Sequence, residues 1–281
     1  DRGSAHNQGC NESPDTIRPY LYKLVAPEGM PRIIDLGNIA KGDQLQDSTF
    51  ALSTLVYELL KKKILPIILG GSHDLTYAQY RAYEHLNKPV NLAVIDERID
   101  LNEDHNGQND LNFLTRILTH EPNFLMNLSL LGYQSYFTPP KAIDTLDKLT
   151  FDCIRLGELR DDIKATEPLL RDCDMLSVDV AAIKQADAPA HAAATPNGLY
   201  GEEACRLLRY AGMADRLTSL GIYGLNPSYD NYGQSSQLVA QMLWYFIEGY
   251  CGRRGEYPFK PGKQHVKYTV SLHEGTEQLT F

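Results

Sequence analysis

The sequence has no paired cysteine pattern, no long apolar run and no surplus of positive charge, and each lack excludes something. Its five cysteines, Cys10, Cys153, Cys173, Cys205 and Cys251, are odd in number, widely spaced and outside any CxxC arrangement. A disulfide framework is therefore not expected, and the thiols read as the reduced ones of a cytoplasmic protein. Nothing approaches the roughly 18 uninterrupted apolar residues of a membrane span, and no secretory signal pattern is visible. Lys and Arg number 27 against 36 Asp and Glu, a net charge of −9. Such a surface repels phosphate backbones, so neither nucleic acid nor membrane is an expected partner. The clusters Lys61-Lys62-Lys63 and Arg253-Arg254 are short and read as solvated helix-end charges.

What is present is a globular composition: 281 residues, 43% hydrophobic and 22% charged, enough to bury a large core without cross-links. No repeat and no linker rich in Pro, Gly or Ser divides the chain, so a single domain over residues 1–281 is expected. Short apolar runs alternate with amphipathic segments. Candidate strands are Arg32–Asp35, Leu65–Leu69, Leu92–Ile95, Phe124–Leu131, Cys153–Leu156, Met175–Val180 and Leu220–Tyr223. Their near-continuous hydrophobicity suits strands covered on both faces, as in a parallel sheet. Helices are expected over Thr49–Lys63, Lys141–Leu149, from Gly201 to about Tyr210 and over Gln234–Tyr250, the last with Leu238, Met242, Phe246 and Tyr250 at helical spacing. The alternation predicts a doubly wound α/β sheet with right-handed crossovers. The alternating run Lys267–Leu272, in the tail 257–281, is a candidate edge strand.

In open α/β sheets ligands bind beyond the carboxyl ends of the strands, and three strand ends here carry unusual residues. Leu65–Leu69 runs into Gly70-Gly71-Ser72-His73-Asp74. Leu92–Ile95 ends in Asp96-Glu97-Arg98-Ile99-Asp100, whose alternate members project to one side while the chain stays extended. Met175–Val180 carries Asp179 inside an apolar strand, where an ionised carboxylate needs compensation. One imidazole and three carboxylates, His73, Asp96, Asp100 and Asp179, suit a hard divalent ion such as Mn²⁺. A His after two glycines also serves as a turn residue, and a strand-end Asp also caps a following helix.

These motifs resemble those of the ureohydrolase family (arginase, agmatinase, formimidoylglutamase): Gly-Gly-Asp-His-Ser, Asp-Ala-His-x-Asp and Ser-x-Asp-x-Asp at strand ends, then Gly-Gly-Leu-Thr-x-x-Glu. Here they read Gly70 to Asp74, Asp96 to Asp100, Ser177-Val178-Asp179-Val180-Ala181 and Asn197-Gly198-Leu199-Tyr200-Gly201-Glu202-Glu203. The opening Asp1-Arg2-Gly3 and the later Asn226-Pro227-Ser228-Tyr229-Asp230 resemble further family segments in the same order. The resemblance implies an arginase-like, three-layer α/β/α fold around an eight-stranded, mostly parallel sheet, with the first strand upstream of Asp1. It also implies a homo-oligomer and two Mn²⁺ ions that activate water against a guanidinium or formimidoyl carbon.

By that resemblance His73, Asp96, Asp100 and Asp179 hold the first ion. The second shares Asp96 and Asp179 but needs a His where the chain has Arg98 and an Asp where it has Ala181. Arg has no lone pair to offer a metal. The Arg98 fork is expected to pair with Asp96 or Asp179 instead. His105 is the candidate proton shuttle, Asn102 and Glu203 are candidates for the substrate, and Asp100 is counted with the catalytic set. Glu203 also reads as an acidic residue in a helix's first turn. Segment 186–196, with His191 among small residues, reads as a rim loop. Two functions follow as expectations. One is a family member with a degenerate binuclear centre, weakly active or non-catalytic, with no metal or one. The other is a working C–N hydrolase of the formimidoylglutamase or agmatinase type that uses the one remaining metal site on an amidine or guanidino ligand.

Overall fold

The computed structural model describes residues 2–4, 6–40, 42–102, 109–255, 269–272 and 277–280. Six strands form one sheet: β1 (Ile67–Leu69), β2 (Val90–Ile95), β3 (Leu125–Tyr133), β4 (Asp152–Arg155), β5 (Met175–Asp179) and β6 (Ser219–Tyr223). Their order is β1-β6-β5-β2-β3-β4 and every neighbouring pair is parallel. Among the described residues this sheet has six strands rather than the eight the resemblance implies.

The helices are α1 (Ser13–Leu21), α2 (Leu45–Lys61), α3 (Leu75–His85), α4 (Phe113–Leu118), α5 (Pro140–Lys148), α6 (Leu156–Asp161), α7 (Glu167–Asp172), α8 (Gly201–Met213) and α9 (Gln234–Cys251). None of the described helices is long and apolar enough to cross a membrane. Local chemistry sets their ends. Pro140 opens α5, where its missing N–H costs nothing. Asp230 accepts hydrogen bonds from the Ser235 and Ser236 N–H groups at 2.8 and 3.0 Å, satisfying two donors at the start of α9.

The three layers follow from strand periodicity. Val90, Leu92 and Val94 of β2 face one core, with Tyr80 and Tyr83 of α3, Phe113, Leu114 and Ile117 of α4 and Leu146 of α5. Ala93 and Ile95 face the other, with Leu207 and Leu208 of α8 and Met242, Leu243 and Phe246 of α9. With a core packed on each face, β2 is wholly buried, as its continuous hydrophobicity predicts.

Two expected strands change. Arg32–Asp35 is not a strand: Ile33 and Ile34 are 48% and 62% exposed. An apolar run forms a ladder only beside a partner, and β1 pairs only with β6 among the described residues. Segment 32–38 is instead tied to α1, with the Arg18 Nε 2.7 Å from Asp35 Oδ2. In the tail, β7 (Thr269–Leu272) pairs antiparallel with β8 (Glu277–Thr280) in a separate two-stranded sheet, not along the edge of the main one.

The chain runs from β2 outward through β3 to β4 on one side, and from β5 to β6 on the other. The reversal lies between β2 and β5, and a crevice opens outside their carboxyl ends. Asp96 follows β2 directly and Asp179 ends β5.

Candidate metal centre

His73 reaches this crevice from β1, across the intervening β6. Gly70 and Gly71, with φ of +83° and +81°, make the turn that a side chain would strain. The turn is pinned to β6, because Gly70 N–H donates to Ile222 O and Gly224 N–H donates to Gly71 O, both at 2.9 Å. The ring is 1% exposed, packed against Phe113 and Tyr223.

Its two nitrogens have different surroundings. Nε2 is 2.9 Å from Ser177 Oγ, which is 2.6 Å from Thr76 Oγ1. The hydroxyls relay one another, so Ser177 can accept the Nε2 proton and leave a lone pair on Nδ1. Nδ1 faces three carboxylates, 2.9 Å from Asp96 Oδ2, 3.4 Å from Asp179 Oδ2 and 3.8 Å from Asp100 Oδ2. None lies at an angle that makes a hydrogen bond, and Nδ1 is a buried polar atom without one. All three acids are buried.

The outer oxygens are held by the backbone. Asp96 Oδ1 accepts from Arg98 N–H at 3.2 Å and Asp179 Oδ1 from Ala181 N–H at 2.8 Å. Both carboxylates thus turn Oδ2 inward. Burial opposes the charge on Asp96, but contact with His73 outweighs it and holds this carboxyl below its usual range. Burial and the Asp96 charge push Asp100 well above it, and burial raises Asp179. Burial works against a charged His73, yet Asp96 and Asp179 prevail and raise it. Three acids share too little positive charge in a nearly dry crevice, which a divalent cation would relieve.

The donor set, one imidazole nitrogen with carboxylate oxygens, fits Mn²⁺ or a similar hard ion. His73, Asp96 and Asp100 are the one group of three His, Cys, Asp or Glu side chains that converges closely enough for an ion among the described residues, and Asp179 borders it. Among the described residues no second such group forms around Asp96 and Asp179. Ala181 brings a methyl group and its N–H.

Arg98 departs from the expectation. Its guanidinium reaches neither Asp96 nor Asp179 side chain; Nη2 lies 2.6 Å from Glu97 Oε1 and the group sits 5.2 Å from the centre of the Phe137 ring. Glu97 is fully buried and needs a charged partner. Burial pushes its carboxyl up to about 7 despite Arg98.

Glu203 also lies elsewhere. Its Oε2 accepts from Tyr200 N–H at 2.8 Å and is 3.5 Å from Arg160 Nε, so it caps the start of α8. Asn102 is held by its backbone, donating to Leu111 O and accepting from Thr115 Oγ1. His105 lies outside the described residues. The broad surface cleft of about 1150 Å³ beside α8 and α9, lined by Tyr200, Arg206, Tyr232 and Tyr245 among others, contains none of the clustered acids.

One neighbour of the cluster, Glu97, carries no signal of its own in the sequence, because an acid beside a motif reads as surface. His191 of the expected rim loop 186–196 does border the cluster, its Nε2 3.9 Å from Asp179 Oδ1.

Comparison with known proteins gives a consistent picture. The model of the arginase family matches residues 1–248. A formimidoylglutamase of Staphylococcus aureus (strain MRSA252) is 25% identical over 261 residues, spanning 88% of this chain and 83% of that protein. Among solved structures, the formiminoglutamase of Trypanosoma cruzi with Mn²⁺ superposes with a TM-score of 0.83 at 19% identity, covering 90% of this chain and 91% of that one. The formimidoylglutamase of Bacillus subtilis superposes with a TM-score of 0.82 at 20% identity, covering 90% and 85%.

Proposed function

This chain belongs to the arginase family, and from that premise we propose that it is a metal-dependent hydrolase of the formimidoylglutamase type. It cleaves the C–N bond of an amidine-bearing amino acid, with one divalent ion held by His73, Asp96, Asp100 and Asp179. The observation that carries this reading is the buried His73 Nδ1, without a hydrogen bond and facing three carboxylates. A buried imidazole nitrogen left this way is costly unless a cation takes its lone pair.

When bound, such an ion supplies Lewis acidity and lowers the pKa of water. The protein's part is positioning. Ser177 fixes the His73 tautomer. The Arg98 and Ala181 N–H groups aim the Asp96 and Asp179 carboxylates inward. Burial and the Asp96 charge push Asp100 upward, and binding a cation would require it to ionise. Phe113 and Tyr223 keep bulk water from the inner side of the ring.

Arg98 and Ala181 favour a second reading, a protein that binds an amidine or guanidino compound and turns it over weakly or not at all. The deciding assay loads the purified protein with Mn²⁺ and measures formamide from N-formimidoyl-L-glutamate, and urea from agmatine and arginine. Hydrolysis of the formimidoyl substrate, lost with chelator and with Asp179→Ala, supports the hydrolase. A metal-loaded protein that releases no formamide or urea above the blank overturns it and leaves the binding reading.

A further inference from the structure

We propose that His191 is the positioning residue for Asp179, steering that carboxylate from the side where Arg98 and Ala181 bring no metal-ligating side chain. The inference rests on the cluster being a metal site. Asp179 closes β5 with its oxygens turned apart: Oδ2 lies 3.4 Å from His73 Nδ1, while Oδ1 meets the Ala181 N–H and faces His191 Nε2 across 3.9 Å.

The tautomer of His191 decides what it offers. Ala193 N–H donates to His191 Nδ1 at 3.0 Å. A ring nitrogen that accepts has its lone pair engaged, so the hydrogen of the neutral ring sits on Nε2. The nitrogen facing Asp179 therefore presents an N–H, not a lone pair. His191 is a donor in this geometry and not a replacement metal ligand. Consistently, no group of three donors includes it among the described residues. At 3.9 Å the contact is no direct hydrogen bond; it acts as a dipole aimed at a buried carboxylate.

The loop that carries His191 is strapped in place on both sides of the ring. Ala190 N–H donates to Ser235 Oγ at 2.9 Å, and Ala190 O accepts from Asn226 N–H at 2.8 Å. Ala192 N–H donates to Asn7 Oδ1 at 3.3 Å, and Asn7 Oδ1 also accepts from Asn226 Nδ2 at 3.1 Å. Asn7 Nδ2 in turn donates to Gly224 O at 2.6 Å. Gly224, at φ +81°, lies between the two side chains: a methyl there would overlap Asp179 Oδ1 and press within 3.2 Å of His191 Cδ2. Three segments distant in sequence thus converge to set one imidazole beside one carboxylate. Such outer partners of metal ligands typically govern metal affinity by about 10- to 100-fold.

The test compares His191→Phe, which keeps a ring and removes the donor, with His191→Gln, which keeps an amide donor and removes the ring. Each full-length protein is titrated with Mn²⁺, and free ion is read from its electron paramagnetic resonance signal, with metal-free melting followed in parallel. The expected result is weaker Mn²⁺ binding by about 10- to 100-fold in the Phe variant at unchanged stoichiometry, and binding within about threefold of the original in the Gln variant. Equal affinity in the Phe variant overturns the proposal, as does the reverse ranking, which marks a packing role. Loss of the bound ion from the stoichiometry in both variants makes His191 a ligand and overturns it also. An original protein that binds no Mn²⁺ overturns the metal-site reading itself, an outcome distinct from the others.

Discussion

His73 and Asp179 lie on strand ends that do not pair: β6 separates β1 from β5, yet His73 Nδ1 and Asp179 Oδ2 are 3.4 Å apart. The two-glycine turn after β1 carries the imidazole across β6, and the Ser177 hydroxyl on β5 receives its other nitrogen. The histidine is thereby delivered to the place where chain direction reverses, between β2 and β5.

Removing that imidazole removes the nitrogen donor of the site. His73→Ala is expected to weaken Mn²⁺ binding by about 100-fold or more, beyond the effect of altering an outer partner. Metal content after dialysis against a weak chelator checks it. Retention of a full equivalent of ion would place the metal elsewhere.

The buried pair Glu97–Arg98 makes a pH prediction. Burial raises the Glu97 carboxyl from 4.5 to about 7. The folded state therefore holds this proton more tightly than the unfolded chain does. The associated stability is complete below about 4.5 and is lost as pH rises through about 7. Glu97→Gln cannot titrate, so the metal-free variant should lose less melting temperature across this window than the original protein. Parallel slopes in thermal melts would contradict it.

Creating the second metal subsite that the family resemblance implies is expected to require more than Arg98→His and Ala181→Asp. Arg98→His strands the fully buried Glu97 without its guanidinium, at a cost of about 1–3 kcal/mol. Arg98→His with Ala181→Asp is thus expected to be destabilised. Adding Glu97→Ala should recover stability and allow a second Mn²⁺ equivalent, which calorimetric titration would count. If the triple variant still binds a single ion, the subsite differs by more than these three side chains.

Glu203 caps α8 in this structure rather than lining the cluster. Glu203→Ala should lower stability by about 0.5–2 kcal/mol, as loss of a cap does, and leave Mn²⁺ affinity unchanged. Denaturant melts and a metal titration separate these effects. A large loss of affinity with no loss of stability would return Glu203 to the site.

The reach of the sequence can be seen residue by residue. Near-continuous apolar runs located all six strands of the sheet, because a strand covered on both faces is apolar along most of its length. Position at the strand ends singled out His73, Asp96, Asp100 and Asp179, because a parallel sheet sends its carboxyl ends to one side. Arg32–Asp35 shows the limit of that argument: apolar character is a property of the residues, but a strand also needs a partner.

Composition and strand-end chemistry, then, determined the α/β class, the buried strands and the four side chains that gather at the strand ends. Only the tertiary structure decided where the long or loop-borne side chains point. Arg98 turns to Glu97 because a buried acid beside it demands a cation, and Glu203 turns back to the α8 backbone because unsatisfied N–H groups lie within its reach. His191 comes beside Asp179 through Asn7 on one stretch of chain and Gly224 and Asn226 on another, both distant in sequence from its own loop. Local pattern encodes burial and period, whereas a directional contact between remote segments exists only once the chain has closed upon itself.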